Sequence, residues 1–202
     1  MIKIREIRQE NVDSVVKIHC EAFKDFFLTT LGTRFLSLYY SCFIRSDETV
    51  SLCAEKDGEV LGFAAATKTC RGFNGRLVKS NIVSFGLLAA WLCLSKPMSL
   101  VRLIKNLSKT SETGEDNEDY AELYSIGVLP CTQGMGIGKM LLSETERIMY
   151  RGGVKRLSLT TDKENNEQAV NFYRSLGYDV MYEFKAYPDR WMYRLIKELS
   201  PS

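Results

Sequence analysis

Apolar and charged residues interleave at the N-terminus, with Ile2, Ile4 and Ile7 set among Lys3, Arg5 and Glu6. The alternation predicts a half-buried strand over 2–8, because successive side chains of a strand point to opposite faces. From Asn11 the spacing changes to three and four, through Val12, Val15, Val16, Ile18 and Ala22. That is the period of a helix with one apolar face. A second segment with this period covers 26–44, its stripe formed by Leu31, Phe35, Leu38 and Tyr39, with Thr29 or Thr30 as its cap. Strands are predicted over 50–55 and 59–68. Asp57-Gly58 between them is a strong hairpin signal, since a type I′ turn needs positive φ at both central residues.

Residues 69–119 break the rhythm. The pattern predicts one long apolar helix over about 77–94 and a further helix from Pro97 to about Leu107, with proline at its first position. The tract SKTSETGEDNED, 108–119, is polar and acidic and predicts a loop. The whole piece reads as a helical insertion into a single domain spanning 1–202. Beyond it the pattern is regular again. A strand is predicted over 121–128, then a helix over 134–151 on Ile137, Leu141, Leu142 and Ile148. A strand over 154–160 and a helix over 165–176 follow, the helix stopped by Gly177. Two strands, 178–187 and 192–199, complete the chain. The order β-α-α-β-β, insertion, β-α-β-α-β-β predicts an α/β fold on a mixed sheet with some parallel pairing.

Composition narrows the function classes. A chain of 202 residues with 45% hydrophobic content is long enough to bury a core without staples. A net charge of +2 argues against nucleic acid as partner. The six cysteines, at 20, 42, 53, 70, 93 and 131, include no CxxC pair and read as buried free thiols of a reducing cytoplasm. The N-terminus has no apolar run of the signal-peptide kind. The apolar run over 82–94 is shorter than the ~20 residues that span a bilayer. His19 is the single histidine, which leaves no Ser-His-Asp hydrolase and no histidine metal site to build once it is placed as an ordinary helix residue.

One segment carries chemistry. In VLPCTQGMGIGK, 128–139, a predicted strand passes into a predicted helix through Gly134, Gly136 and Gly138. Glycines leave backbone N–H groups uncovered, so successive amides can converge on phosphate oxygens, aided by the helix dipole and by Lys139. The spacing is not a Walker loop, because Gln133 stands where its first glycine belongs and Met140 where its Ser or Thr belongs. It is not the GxGxxG dinucleotide fingerprint, because position 139 is lysine. A plain turn needs one such glycine rather than three, each costing roughly 1 kcal/mol against alanine inside a helix start. A pyrophosphate-bearing ligand is the expected occupant.

The run Val128-x-Pro130-x-x-Gln133-Gly134-x-Gly136-Ile137-Gly138-Lys139, followed by Leu141-Leu142, resembles the acyl-CoA motif of the GNAT N-acetyltransferase superfamily. Asn166, Ala169, Phe172, Tyr173, Gly177 and Tyr178 are spaced like its second signature. The resemblance covers most of the chain outside 69–119. It implies acetyl-CoA as co-substrate, no metal, and a central strand that bulges and splays from its parallel neighbour so that pantetheine lies between them. It further implies that Ile126 and Val128 bond the pantetheine and that Gln133, Gly134, Met135, Gly136, Ile137, Gly138 and Lys139 hold the pyrophosphate. Asn166 would contact the pantetheine arm. Tyr173 would protonate the departing thiolate, its alternative being an aromatic core residue. Glu122 would take the amine's proton, the alternative being a solvated charge at a strand start; Tyr124, two residues on, is expected on the same side of the strand, where it could help position the acceptor. The segment FFLTTLGTRFL, 26–36, is similar to that of GNAT-like proteins found with bacterial surface-polysaccharide genes.

The acceptor stays open on sequence alone: a small primary amine, with an amino-sugar nucleotide as one form, or a protein or peptide amine. A catalytically inactive acyl-CoA-binding module is the other class. Lys68, Arg71, Arg76, Lys79, Lys96, Arg102 and Lys105 form a stretch with no acidic residue between 68 and 109. It reads as a solvated cap or dimer contact, as a site for a nucleotide sugar's phosphates, or as a membrane-surface contact through 77–107.

Overall fold

The computed structural model describes residues 1–24, 26–95, 98, 119–186 and 189–201. The predicted helix from Pro97 and most of the acidic tract lie outside the described residues, as do Lys96, Arg102 and Lys105. Among the described residues seven strands form one sheet in the order β1-β2-β3-β4-β5-β7-β6. These are β1 Lys3–Glu6, β2 Thr49–Lys56, β3 Glu59–Thr67, β4 Ala121–Val128, β5 Arg156–Asp162, β6 Asp179–Ala186 and β7 Arg190–Glu198. Every neighbouring pair is antiparallel except β4 and β5, which run parallel. The mixed α/β architecture expected from the element order is therefore present.

Helices cover both faces. On one side lie α1 (Val12–Ala22), α2 (Phe27–Thr30) and α3 (Thr33–Ile44). They bury Val15, Ile18, Leu36 and Phe43 at 1% exposure or less. On the other side α6 (Ile137–Arg151) packs over β2, β3 and β4. Its Ile137, Leu141, Leu142 and Met149 are likewise 1% exposed or less, each burial worth roughly 1.5–3 kcal/mol. Close approach of this helix explains Gly62 inside β3. A Cβ there would stand 3.0 Å from Gly127 O and 3.2 Å from both Ile137 and Leu141 side chains. Between β3 and β4 the chain forms α4 (Phe73–Ser80) and α5 (Ile82–Ser95), and α7 (Glu167–Ser175) lies between β5 and β6.

Three helix boundaries differ from the sequence expectation, each for a local reason. The segment over 26–44 breaks into α2 and α3 because Gly32 takes φ of +92°, which no helix accommodates. Thr29 and Thr30 cap nothing: their hydroxyls donate to Phe23 O and Phe27 O at 2.6 Å. The apolar segment over 77–94 is likewise two helices, α4 and α5, meeting at 94°. Asn81 sits at the break and donates its side-chain amide to Leu77 O at 3.0 Å, a side-chain bond that competes with helix continuation. The helix expected from Gly134 begins at Ile137, because Gly134 and Gly136 have φ of +81° and +76°. The Asp57-Gly58 hairpin is as expected, with φ of +52° and +85°. Of the cysteines, Cys42, Cys53 and Cys70 are buried, whereas Cys93 and Cys131 are exposed; the expectation of buried thiols fails for these two, which lie on an outward helix face and in a surface loop.

Candidate active site

Two irregularities in β4 build the site. The first is a bulge. Ala65 pairs with Ser125 and the next residue, Ala66, pairs with Leu123, so Tyr124 is the extra residue. An extra residue reverses the in-and-out alternation beyond it. Glu122 before the bulge and Ser125 after it therefore share the face covered by α1 and α3. The Tyr124 ring packs there too, 5.8 Å from Phe43 of α3 and 5.5 Å from Phe73 of α4.

The second irregularity is a divergence. Parallel pairing of β4 with β5 covers only Ala121–Leu123 against Leu157–Leu159, although β4 continues to Val128 and β5 to Asp162. Past Leu123 the strands separate around a cavity of about 590 Å³. Of the residues expected to bind the co-substrate, Ile126, Val128, Gln133, Gly138 and Asn166 line it. Edge amides and carbonyls of β4 released from sheet pairing are free to bond an extended arm. Asn166 stands at the N-cap position of α7 without a capping bond and donates its side-chain amide to Thr161 Oγ1 at 2.7 Å and Asp162 O at 3.1 Å. Both donors being used, its carbonyl oxygen is what it can offer a ligand.

Gln133 and Gly138, on either side of the turn ahead of α6, line the cavity. Gly134 and Gly136 occupy the left-handed region, where other residues are strained by roughly 1–2 kcal/mol. The helical bond from Met140 N–H reaches Gly136 O at 3.0 Å. The amides of Ile137, Gly138 and Lys139 come before it and have no intrahelical acceptor. Gly138 is informative because its φ is not positive and a Cβ there meets only Phe172 at 3.6 Å and Val128 at 3.9 Å. Its backbone does not require glycine. The space a methyl would fill belongs to the cavity, which fits a phosphate-bearing group lying against the bare helix start. Gly134, Met135, Gly136, Ile137 and Lys139 are not among the lining residues. Met135 is 53% exposed, and the Ile137 side chain is buried in the core, so at these positions the backbone is what remains to meet a ligand.

Tyr173 lines the cavity from α7 and is 9% exposed. Burial pushes its phenol above the ordinary range, so it keeps its proton throughout neutral pH and stands as a hydrogen-bond donor beside the cavity.

Glu122 is arranged differently from the expectation. It does not line the cavity. Its Oε1 accepts from Arg194 Nη1 at 2.5 Å and its Oε2 from the Cys70 thiol at 2.9 Å. Arg194 also donates to Ser158 Oγ at 3.0 Å and stacks 5.5 Å from Tyr120. Both partners of the pair are buried, with side chains 7% and 11% exposed. This is an ion pair closed between β4 and β7, not the solvated charge that was the alternative.

His19, which has no motif around it, turns out to be 2% exposed and to line the cavity. Its Nδ1 lies 2.7 Å from Tyr40 Oη, and Tyr40 also bonds Ser125. Which of Nδ1 and Tyr40 Oη donates depends on the ring tautomer, and Nε2 has no partner among the described residues. Burial lowers the His19 pKa to about 4. The signal that could have flagged this polar chain is the unusual placement of His19 on the apolar stripe of α1. Arg190, also unforeseen, closes the cavity wall, bonded to Asp162 at 2.6 Å and stacked 5.3 Å from Phe26.

A mixed sheet with one splayed parallel pair, a bulge at the splay and a bare helix start at its end define an acyl-CoA-dependent transferase. The Acetyltransferase (GNAT) family matches residues 12–178, and the chain belongs to that family, whose members use acetyl-CoA. It is 29% identical over 129 residues to the 5-NmdU N-acetyltransferase of Pseudomonas phage PaMx11, covering 62% of this chain and 82% of the relative. It is 41% identical over 66 residues to the mycothiol acetyltransferase of Arthrobacter sp. (strain FB24), covering 30% of this chain and 20% of the relative's length. The chain thus spans about a fifth of that relative. The ribosomal-protein-S18-alanine N-acetyltransferase of Escherichia coli superposes with a TM-score of 0.65 at 15% identity, over 100% of this chain and 96% of that one, a likeness of fold.

Proposed function

We propose that this N-acetyltransferase moves the acetyl group of acetyl-CoA onto the primary amine of a small molecule, by direct attack within a ternary complex. The observation that carries the reading is the opening between β4 and β5 beyond Leu123 and Leu159, a cavity that Gly138 also lines. In this reading the unpaired edges of Ile126 and Val128 bond the pantetheine amides, and the amides from Gln133 to Lys139 hold the pyrophosphate. Asn166 accepts from the arm through its carbonyl. Tyr173 gives its proton to the sulfur as the thioester opens. Attack needs the amine's lone pair. Glu122 is the carboxylate assigned to receive the amine's proton. Its oxygens already accept from Arg194 and Cys70 and it stands off the cavity, so this reading requires a relay through water to reach it.

A cavity of about 590 Å³, shared between the pantetheine end and the acceptor, supports a small acceptor over a folded protein surface. Amino-sugar nucleotides head the acceptor panel, followed by nucleobase amines, simple amines and peptides. The deciding experiment measures thiol release from acetyl-CoA across that panel, with Tyr173→Phe as comparison. Turnover on a small amine, lost in the variant, is the expected result. Peptide turnover alone would reassign the acceptor class. Tight CoA binding with no turnover on any amine would leave an acyl-CoA-binding module in place of the enzyme.

A further inference from the structure

The helix α5 has no charged residue in its sequence, IVSFGLLAAWLCLS. A helix apolar all round is ordinarily buried, yet only Leu92 of α5 is fully so. Phe85, Leu88 and Trp91 lean on the core, and Arg34 of α3 stacks 5.2 Å from the Trp91 ring. The opposite side is open. Ile82 is 64% exposed, Val83 73%, Leu87 70% and Leu94 90%. Val83, Leu87 and Leu94 recur at four and seven residues, which places them on one stripe. Among the described residues no single helix is long and apolar enough to cross a membrane.

Charge decides between the surfaces that could cover this stripe. The stretch 60–111 contains no Asp or Glu. Of its described cations, Arg76 is held by Glu48 and the Lys68 ammonium donates to Asp47 O. Arg71 and Lys79 are exposed and have no ion pair among the described residues. Lys79 stands next to Val78, itself 38% exposed, at the corner where α4 turns into Ile82 and Val83. The same face of a second copy would bring no Asp or Glu from 60–111 to meet these cations. An anionic bilayer offers acyl chains for the stripe and headgroups for the cations, the combination that holds an interfacial helix.

We infer that α5 docks this enzyme onto an anionic lipid surface, its outward stripe of Val83, Leu87 and Leu94 entering the acyl boundary and Lys79 meeting the headgroups. The inference does not rest on the acetyl-transfer reading, and CoA affinity serves as an independent check that the protein is folded. The experiment is co-sedimentation of the full chain with vesicles of phosphatidylcholine and phosphatidylglycerol mixed, and with phosphatidylcholine alone. Binding to the mixed vesicles is expected, weakened at least about tenfold by Val83→Glu with Leu87→Glu and weakened again by high salt. Both positions are exposed, so CoA affinity stays unchanged in the variant. Lys79→Glu lowers binding to the mixed vesicles without altering CoA affinity. Absence of binding by the folded protein overturns the inference. So does binding that the double variant leaves intact. Concentration-dependent dimers that Leu87→Glu abolishes, without vesicle binding, would give the face to a second copy and equally overturn it.

Discussion

Gly138→Ala separates the demands of the fold from those of the ligand. A methyl at this position contacts Phe172 at 3.6 Å and Val128 at 3.9 Å, ordinary van der Waals distances. The residue lies in the first turn of α6 without positive φ. Alanine is the better helix former by up to about 1 kcal/mol, so stability is expected to hold or to rise by an amount between zero and that figure. A helical Cβ tilts toward the N-terminus, here toward the bare amides and the walls of the cavity. The methyl therefore occupies space the co-substrate needs, and CoA affinity is expected to fall about ten- to a hundredfold, roughly 1.4–2.8 kcal/mol. Gly136→Ala is the contrasting control: φ of +76° strains any side chain, and that variant loses about 1–2 kcal/mol of stability. Urea unfolding and calorimetric titration with CoA measure the two quantities. A normally stable Gly138→Ala protein with CoA affinity within about twofold of the parent would refute the placement of the pyrophosphate. A loss of stability beyond about 1 kcal/mol would refute the packing argument.

Tyr173→Phe keeps the buried ring and removes the proton, so turnover is expected to drop at least about a hundredfold with CoA affinity unchanged; an equal loss of both would make the residue structural. Arg194→Met leaves Glu122 buried without its cation and is expected to cost about 3–5 kcal/mol in urea unfolding, much of it recovered when Glu122→Gln is added; purely additive losses would contradict the coupling of the pair. His19, with its pKa lowered from 6.5 to about 4, stays neutral in the folded protein where the unfolded chain takes up a proton. Its contribution is undiminished above pH 6.5 and is lost as pH falls toward 4, reaching about 2 kcal/mol by pH 5. The pH dependence of unfolding should flatten by about that amount in His19→Gln, and identical slopes for both proteins would reject the assignment.

Short-range signals made much of this protein legible in its sequence. The period of apolar residues located every strand and most helices, and Asp57-Gly58 fixed a hairpin whose φ values are both positive. Gly134, Gly136 and Gly138 marked the passage from β4 into α6. Each of these rests on neighbours a few residues apart, where backbone sterics act directly. The two misplaced helix breaks, at Gly32 and Asn81, came from single residues inside an otherwise helical period, where one left-handed φ or one side-chain bond outweighs the pattern.

What only the tertiary structure decided is how distant residues meet. Glu122 and Arg194 are 72 positions apart, and their pairing depends on β7 lying beside β5, which no local propensity encodes. The bulge at Tyr124 reverses a parity that sequence spacing counts as unbroken. His19, Tyr40 and Ser125 form one polar chain because α1, α3 and β4 converge on the splay. Burial and pairing are properties of such convergence, and they set whether a carboxylate is solvated or half of an ion pair, and whether an imidazole is charged.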